Sequence, residues 1–497
     1  MKEPGQKSGY YLLIFSIALA IFMAALDTLI VNIALPTISE SFHVSSSEVS
    51  WVATVYLMVM AGCVLIFGKI SDNIGFKRIF LAGFVIFVTG SLMCGILPVL
   101  TGSFLVLVGS RAFQAIGGAM ITAVPVAMVT AYIPMEMRGK AMGLVVTMTA
   151  LGAALGPSLG GILTEYLSWQ WIFFINVPVG IIAIILGLLV IPDSERRKLE
   201  HGFDWGGAVL IFIGLALLLF GVSEGNTRGW GSPVIIGSLV TSVIILALFI
   251  WHELKFKDPL LQVHLFGDRD FFFFNAAFSL LMFSVSGVFF FMPFFLKYVC
   301  GYPTATAGLI LTPFSIFTMI SGLIAGMLYN RTGGRVLLIG ASVITVIGYF
   351  LLFTMNAGTP PGLIVIFLAI TGFGGGLFVP PVSNMVMTMV SRQYQGMVSS
   401  LMMVERFGPL TMGIAFFNMI FVQGMAFFSN FFKIGIETGA NFQLKALTAS
   451  YDATFLCIFL IGLGVVLFSW MARYKVHPDY IEKKDENTVK KDKLNSA

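Results

Sequence analysis

Charge is what this sequence has least of. Of its 497 residues only 11% are Asp, Glu, Lys or Arg, against about a quarter in a water-soluble domain. With 58% hydrophobic residues and a mean hydropathy of +0.94, a water-soluble fold is excluded, because no globular core could hide so much apolar surface. Cysteine is nearly as scarce. Cys63, Cys94, Cys300 and Cys457 are scattered, three of them in apolar runs, and offer neither a disulfide framework nor a metal-ligand spacing. The five histidines (His43, His201, His252, His264 and His477) fall singly in or near loops, and none opens a zinc-protease pattern. A membrane-embedded transferase would need clustered His, Asp or Ser at one membrane face, so the chain is expected not to be an enzyme. No Gly-x-x-x-x-Gly-Lys-[Ser/Thr] phosphate loop occurs, which speaks against an ATP-driven pump; the nearest stretch, 62–71, has the wrong spacing. The net charge of +5 is modest, and much of it sits after Arg473 (Lys475, Lys483, Lys484, Lys490, Lys491, Lys493). Such a tail suits an anionic membrane surface and not nucleic acid.

Long hydrophobic runs are what is present. A spanning helix takes about 20 mainly apolar residues, and such runs fall at 11–35, 49–68, 79–97, 104–131, 141–163 and 172–191, then at 205–222 and 234–251, then at 271–296, 305–328, 336–355, 363–390, 397–428 and 453–471. Fourteen spans are thus expected. The first follows the N-terminus without a small-residue cleavage site before Asp27, so it reads as a retained span and not a cleaved leader. The 53 glycines and 48 phenylalanines suit lipid as solvent, since Gly lets spanning helices approach closely.

Orientation follows from the excess of Lys and Arg in cytoplasmic loops. With the N-terminus inside, all but six of the 29 Lys and Arg fall on the inner side. Four lie outside (Arg228, Lys297, Lys433, Lys445), and two, Arg111 and Arg406, lie within spans. One missed helix would invert every later loop and destroy that asymmetry. An internal repeat adds a second constraint. After the second span comes Gly68-Lys-Ile-Ser-Asp72-Asn-Ile-Gly75-Phe-Lys77-Arg78, and after the tenth Gly326-Met-Leu-Tyr-Asn330-Arg-Thr-Gly333-Gly-Arg335. Both fall on the cytoplasmic side, as a parallel repeat about an axis normal to the membrane requires. The expected organisation is a six-helix bundle at 1–192, a two-helix insertion at 193–258, a second six-helix bundle at 259–472 and a charged cytoplasmic tail at 473–497.

Polar residues inside spans are expensive and are functional candidates by default. The first span holds Asp27, with Asn32 and Pro36 after it in Leu-Asp-Thr-Leu-Ile-Val-Asn-Ile-Ala-Leu-Pro. An apolar medium disfavours the charged form of a carboxylic acid, which suits a proton carrier; a polar brace between helices is the alternative. The fourth span holds Arg111, Gln114 and Gly117 in Arg-Ala-Phe-Gln-Ala-Ile-Gly-Gly. A guanidinium at that depth must find acceptors or an anionic partner; a fixed ion pair is the plain reading. In the fifth span Gly152, Gly156 and Gly160 are four apart on one helix face, with Pro157 and Gly161 beside them, a pattern for near backbone contact and a bend. The thirteenth holds Glu405 and Arg406, which point about 100° apart and need not pair with each other. Glu405 serves either coupling and cation recognition or a structural salt bridge. In the loop at 68–78, Gly75 supports a sharp turn and Asp72 could pair with a base or cap a helix. Glu224, beside Arg228, reads as a solvated loop acid.

Together these segments resemble the major facilitator superfamily, and within it the fourteen-span drug:proton antiporters, over about residues 13–471. Gly68, Asp72, Gly75, Lys77 and Arg78 match the superfamily's cytoplasmic loop motif, and the glycines with Pro157 match the motif associated with antiporters. The segment Trp169-Gln-Trp-Ile-Phe-Phe-Ile-Asn176-Val-Pro-Val-Gly180 is similar to the start of the sixth helix in the fourteen-span group. Ala115 and Pro409 stand where the family has Gly, and Glu405 departs from the pattern. The resemblance implies an all-α membrane protein of two pseudo-symmetric bundles plus two central helices, and a part for Arg111 in proton transfer. It implies a multi-pass inner or plasma membrane monomer with both termini cytoplasmic, exporting small hydrophobic, often cationic compounds in exchange for protons by alternating access. No cofactor, metal or nucleic acid is expected; the proton gradient drives the cycle. A dedicated exporter of one metabolite, lipid or siderophore is the alternative. On this layout Asp27, Arg111 and Glu405 are expected to face a central cavity.

Overall fold

The computed structural model describes residues 4–192, 204–256, 259–391, 395–434 and 440–478. Residues 193–203, at the start of the expected two-helix insertion, and the basic tail beyond 478 lie outside the described residues. The helices run α1 (Pro4–Phe42), α2 (Ser46–Ile74), α3 (Phe76–Thr101), α4 (Phe104–Ala123), α5 (Pro125–Tyr132), α6 (Met135–Tyr166), α7 (Trp171–Phe174) and α8 (Asn176–Val190). They continue as α9 (Trp205–Arg228), α10 (Pro233–Glu253), α11 (Arg269–Phe294), α12 (Thr304–Thr332), α13 (Gly334–Phe353), α14 (Pro361–Thr388), α15 (Gln395–Ile434) and α16 (Ala440–Met471). The short α5 prolongs α4 past a break at Pro125, and α7 leads into α8, so among the described residues sixteen helices make fourteen long rods. Among the described residues thirteen are long and apolar enough to cross a membrane. The remaining rod is α6, where several side chains of the first half lie outside the described residues.

Local signals in the sequence set the ends. At the start of α2 the Ser45 hydroxyl accepts from the Glu48 backbone N–H while the Glu48 carboxylate accepts from the Ser45 N–H, a reciprocal cap that satisfies two donors the helix cannot. Gly75 turns the chain from α2 into α3 at φ 98° and ψ 143°, and Gly333 turns it from α12 into α13 at φ 81° and ψ 142°. Only glycine takes such angles freely, so the repeat read in the sequence is a repeated turn in the structure.

Helix α1 packs along α6, α4 along both α2 and α3, and α8 against α1 and α3. In the second half α14 packs on α12 and α13, while α11, α15 and α16 contact one another. The hairpin of α9 and α10 leans through α9 on α2 and α15. The halves meet where α6 crosses α12, where α2 meets α15 and where α1 meets α11. Small residues allow the closest of these approaches. A Cβ on Gly152 would stand 2.5 Å from the Phe22 carbonyl oxygen and one on Gly160 2.7 Å from that of Ile30, while one on Gly161 would stand 2.7 Å from that of Thr304. One stripe of α6 is thus fitted to α1, and Pro157 and Gly161 are fitted to Gly308 and Thr304 on α12.

Polar contacts close the seam at the end where α1 finishes and α2 begins. Lys297 Nζ lies 2.7 Å from Glu40 Oε2, and the Tyr298 hydroxyl donates to Glu40 Oε1 at 3.1 Å. Both residues sit on a π-helical turn, Phe295–Val299, that follows α11. Glu165 accepts from the Thr304 N–H at 3.0 Å, and Asn418 donates to Ser47 at 2.9 Å.

Candidate functional site: a buried carboxylate and its partners

Asp27 lies in the middle of α1 with no exposed surface, and Arg111 of α4 is 1% exposed. Two such charges are retained in an apolar interior only if their geometry returns most of the desolvation cost, and here it is close. Arg111 Nη1 donates to Asp27 Oδ2 at 2.7 Å. The other carboxylate oxygen accepts from Gln114 Nε2 at 3.0 Å and from Asn176 Nδ2 at 2.8 Å. Gln114 is one helical turn beyond Arg111 on α4, and its oxygen accepts from the same guanidinium; its amide nitrogen also donates to Ser91 of α3 at 2.8 Å. The amide orientation is thereby fixed, oxygen toward the cation and nitrogen toward the anion.

The guanidinium also reaches α2. Arg111 Nε donates to the Val52 carbonyl at 3.3 Å, and its central carbon stands 3.9 Å from the centroid of the Tyr56 ring, one turn further along α2. Phe173 covers the other side at 5.6 Å. Five rods therefore converge on one ion pair. Three N–H groups thus donate to the carboxylate, one to Oδ2 and two to Oδ1.

The structure differs here from the sequence expectation of a cavity-facing pair. Asp27 and Arg111 are sealed inside the packing of α1, α2, α3, α4, α7 and α8, because each finds its counter-charge on a neighbouring helix of the same half. Gly117, on the α4 face that meets α3, has no room for a Cβ against the Phe87 backbone. Asn32 is buried one turn beyond Asp27 with its side-chain oxygen unpartnered, and Pro36 accepts at its carbonyl from Tyr298 at 3.4 Å.

Glu405 does not join the network. It is 8% exposed in α15, and its Oε2 has no hydrogen-bond partner. Its neighbour Val404 packs against the cluster of Leu65, Ile211 and Phe249, on α2, α9 and α10. Arg406 is exposed, as the angle between adjacent helical residues anticipates. Glu224 corrects the sequence reading of a solvated acid: Oε1 accepts from Trp51 Nε1 at 3.0 Å and Oε2 from Arg228 Nε at 3.0 Å, which ties α9 to α2. The segment 68–78 read as a loop is mostly helical: the Gly68 carbonyl accepts from the Ser71 hydroxyl in the last turns of α2, Gly75 alone makes the turn, and Lys77, half-buried, and Arg78, exposed, open α3. The side chain of Asp72 lies outside the described residues.

Sequence reasoning did not single out Ser91, Tyr56 or the Val52 carbonyl, and took Asn176 only as a family marker. A lone Ser or Tyr in an apolar run carries no signal of its own. Asn176 does, as a carboxamide between two apolar stretches.

Thirteen helices among the described residues long and apolar enough to cross a membrane, with a dry ion pair packed among them, define a multi-pass membrane protein. A family model described as Major Facilitator Superfamily matches residues 17–409, and the chain belongs to that superfamily. It is 31% identical over 422 residues, 85% of this chain and 90% of the other, to a protein of Clostridioides difficile (strain 630) named riboflavin transporter RibZ. It is also 31% identical over 405 residues, 81% of this chain and 74% of the other, to multidrug resistance protein Stp of Mycobacterium tuberculosis (strain CDC 1551 / Oshkosh). Among solved structures, that of a D-xylose-proton symporter has a TM-score of 0.66 at 14% identity, covering 93% of this chain and 98% of that one. That likeness is one of fold.

Proposed function

We propose that the chain is a proton-driven exporter that carries small hydrophobic, often cationic compounds out across the plasma or inner membrane by alternating access. It works as a monomer with both termini cytoplasmic and needs no cofactor. The observation that carries this reading is the dry Asp27–Arg111 pair and its attachment to α2. Protonating Asp27 removes the anion that holds Arg111, and Arg111 in turn holds α2 through Val52 and Tyr56. Helix α2 is also the rod that meets α15 at the seam, through Ser47 and Asn418. A proton on Asp27 therefore loosens a contact between halves, and deprotonation restores it. The polar closure around Glu40, Lys297 and Glu165 supports assigning this conformer as sealed on the outer side.

In proteoliposomes with an imposed pH gradient, a panel of lipophilic cations is expected to drive proton flux in the wild type, and Asp27→Asn to abolish it while binding persists. Normal coupling in Asp27→Asn would sink the assignment. A second reading is favoured by the relative named as a riboflavin transporter: export of one metabolite. Flux with a single neutral heterocycle and none with the cation panel would select it.

A further inference from the structure

The repeat residue Arg335 has no place in the coupling scheme, yet it lines a recess of about 770 Å³ at the end of the molecule that carries the Lys- and Arg-rich loops. The recess lies where α11 begins, α13 begins and α16 ends. Arg335 Nη2 donates to the Trp470 carbonyl at 2.8 Å, which holds it in place with the rest of its guanidinium free to face outward. Around it stand Arg269, Arg473 and Lys475, all exposed. The two acids in the wall are engaged: Asp268 accepts from the Asp270 and Phe271 N–H groups as the cap of α11, and Asp270 accepts from the Arg473 N–H at 2.9 Å. Lys475 reaches Asp270 only at 3.8 Å. Four cations against two committed carboxylates leave the recess positive. Just inward the surface turns apolar, with Trp470 63% exposed and Leu467 51% exposed on α16 and Val336 66% exposed on α13. A tryptophan at the junction of a basic rim and an apolar face is the arrangement of a membrane interface.

We propose that this recess binds the phosphate head group of an anionic phospholipid, with the acyl chains along the exposed face of α13 and α16. Arginine forks match phosphate oxygens, and a basic pocket between spanning helices at the cytoplasmic surface suits such a head group. Free phosphate shares the head-group chemistry but would not use the apolar face. The proposal rests on the membrane fold and on the orientation given above, not on proton coupling, so a binding measurement can fail without touching the transport reading.

The test is native mass spectrometry of the purified full chain titrated with phosphatidylglycerol, with phosphatidylcholine, and with inorganic phosphate. Wild type is expected to retain phosphatidylglycerol selectively. Each of Arg335→Gln and Arg473→Gln should weaken that retention about fivefold, the worth of one surface cation, while Arg473→Lys keeps most of it and Arg228→Gln at the opposite end changes nothing. Should a Gln variant be lost to misfolding, Lys475→Gln, at a side chain 76% exposed, carries the same expectation. Equal retention by wild type and all charge-removing variants overturns the proposal. So does phosphate binding without preference for phosphatidylglycerol over phosphatidylcholine.

Discussion

Asp27 and Glu405 are both carboxylic acids buried in apolar rods, one in each half of the molecule, Asp27 well inside α1 and Glu405 near the start of the span in α15. Asp27 accepts from Arg111, Gln114 and Asn176, whereas Glu405 leaves Oε2 without a donor. A satisfied buried charge is a fixed element whose partners must move before it can change state. An unsatisfied one is a vacancy for a ligand, a proton or a cation. On the proposed proton-driven cycle the contrast predicts different work for the two halves, a proton switch at Asp27 in the first and a carboxylate offered to the carried compound at Glu405 in the second. Five substitutions, with Asp27→Asn paired to the first of them, can break or sharpen that division.

The largest effect belongs to Arg111→Gln. It leaves the Asp27 carboxylate buried without its counter-charge, which costs about 3–5 kcal/mol, and it also removes the contacts to Val52 and Tyr56. Equilibrium unfolding in mixed micelles measures it. The double variant Asp27→Asn with Arg111→Gln should recover a large part of the loss, because both charges go together. If the double variant is no more stable than Arg111→Gln alone, the pair is not the unit the distances describe.

Asn176→Ala is expected to cost about 1.5–3 kcal/mol, the worth of a hydrogen bond to a charged group. The expected signature is selective: unfolding is easier, while proton flux persists at a shifted pH, since Arg111 and Gln114 still hold the carboxylate. An unchanged pH profile would show that Asn176 is packing and not part of the switch.

Glu405→Gln has the opposite sign. Replacing an unpaired buried acid with a neutral amide of the same shape should stabilise the fold by about 1–3 kcal/mol, with transport of cations falling more than that of neutral compounds. A destabilised variant would mean that Glu405 is paired as tightly as Asp27, and the division between the halves would fail.

How much of this was legible in the sequence depended on how far apart the partners lie. The rods, the paired turns at Gly75 and Gly333, and the glycine face of α6 were readable because each is local, set by hydropathy, backbone freedom or helical period. Asp27 and Arg111 were readable one at a time as expensive residues. Their bond, across 84 positions, was not, because polarity fixes what a residue needs and not which helix supplies it. The expected central cavity failed for them for the same reason: the partners came from neighbouring rods, and the pair closed upon itself. Glu224 shows the converse error, since a helix-end acid next to Arg228 reads as solvated until Trp51 arrives from another rod.

Ser91→Ala gives the smallest effect and the sharpest test of the amide orientation. Ser91 accepts from Gln114 Nε2, and its loss should cost about 0.5–1.5 kcal/mol, one neutral hydrogen bond. Gln114 then keeps its bonds to Arg111 and to Asp27 Oδ1, so coupling should be unchanged. Gln114→Glu at the neighbouring position sets a stricter condition, because it replaces a donor to Asp27 with a second acid beside it. Like charges at that distance cannot both remain ionised in a dry site, so this variant is expected to bind an extra proton and to uncouple transport. If Ser91→Ala is silent and Gln114→Glu uncouples, the orientation of one amide is part of the proton switch. If both are silent, the carboxylate is held by Arg111 and Asn176 alone, and the network is smaller than its hydrogen bonds suggest.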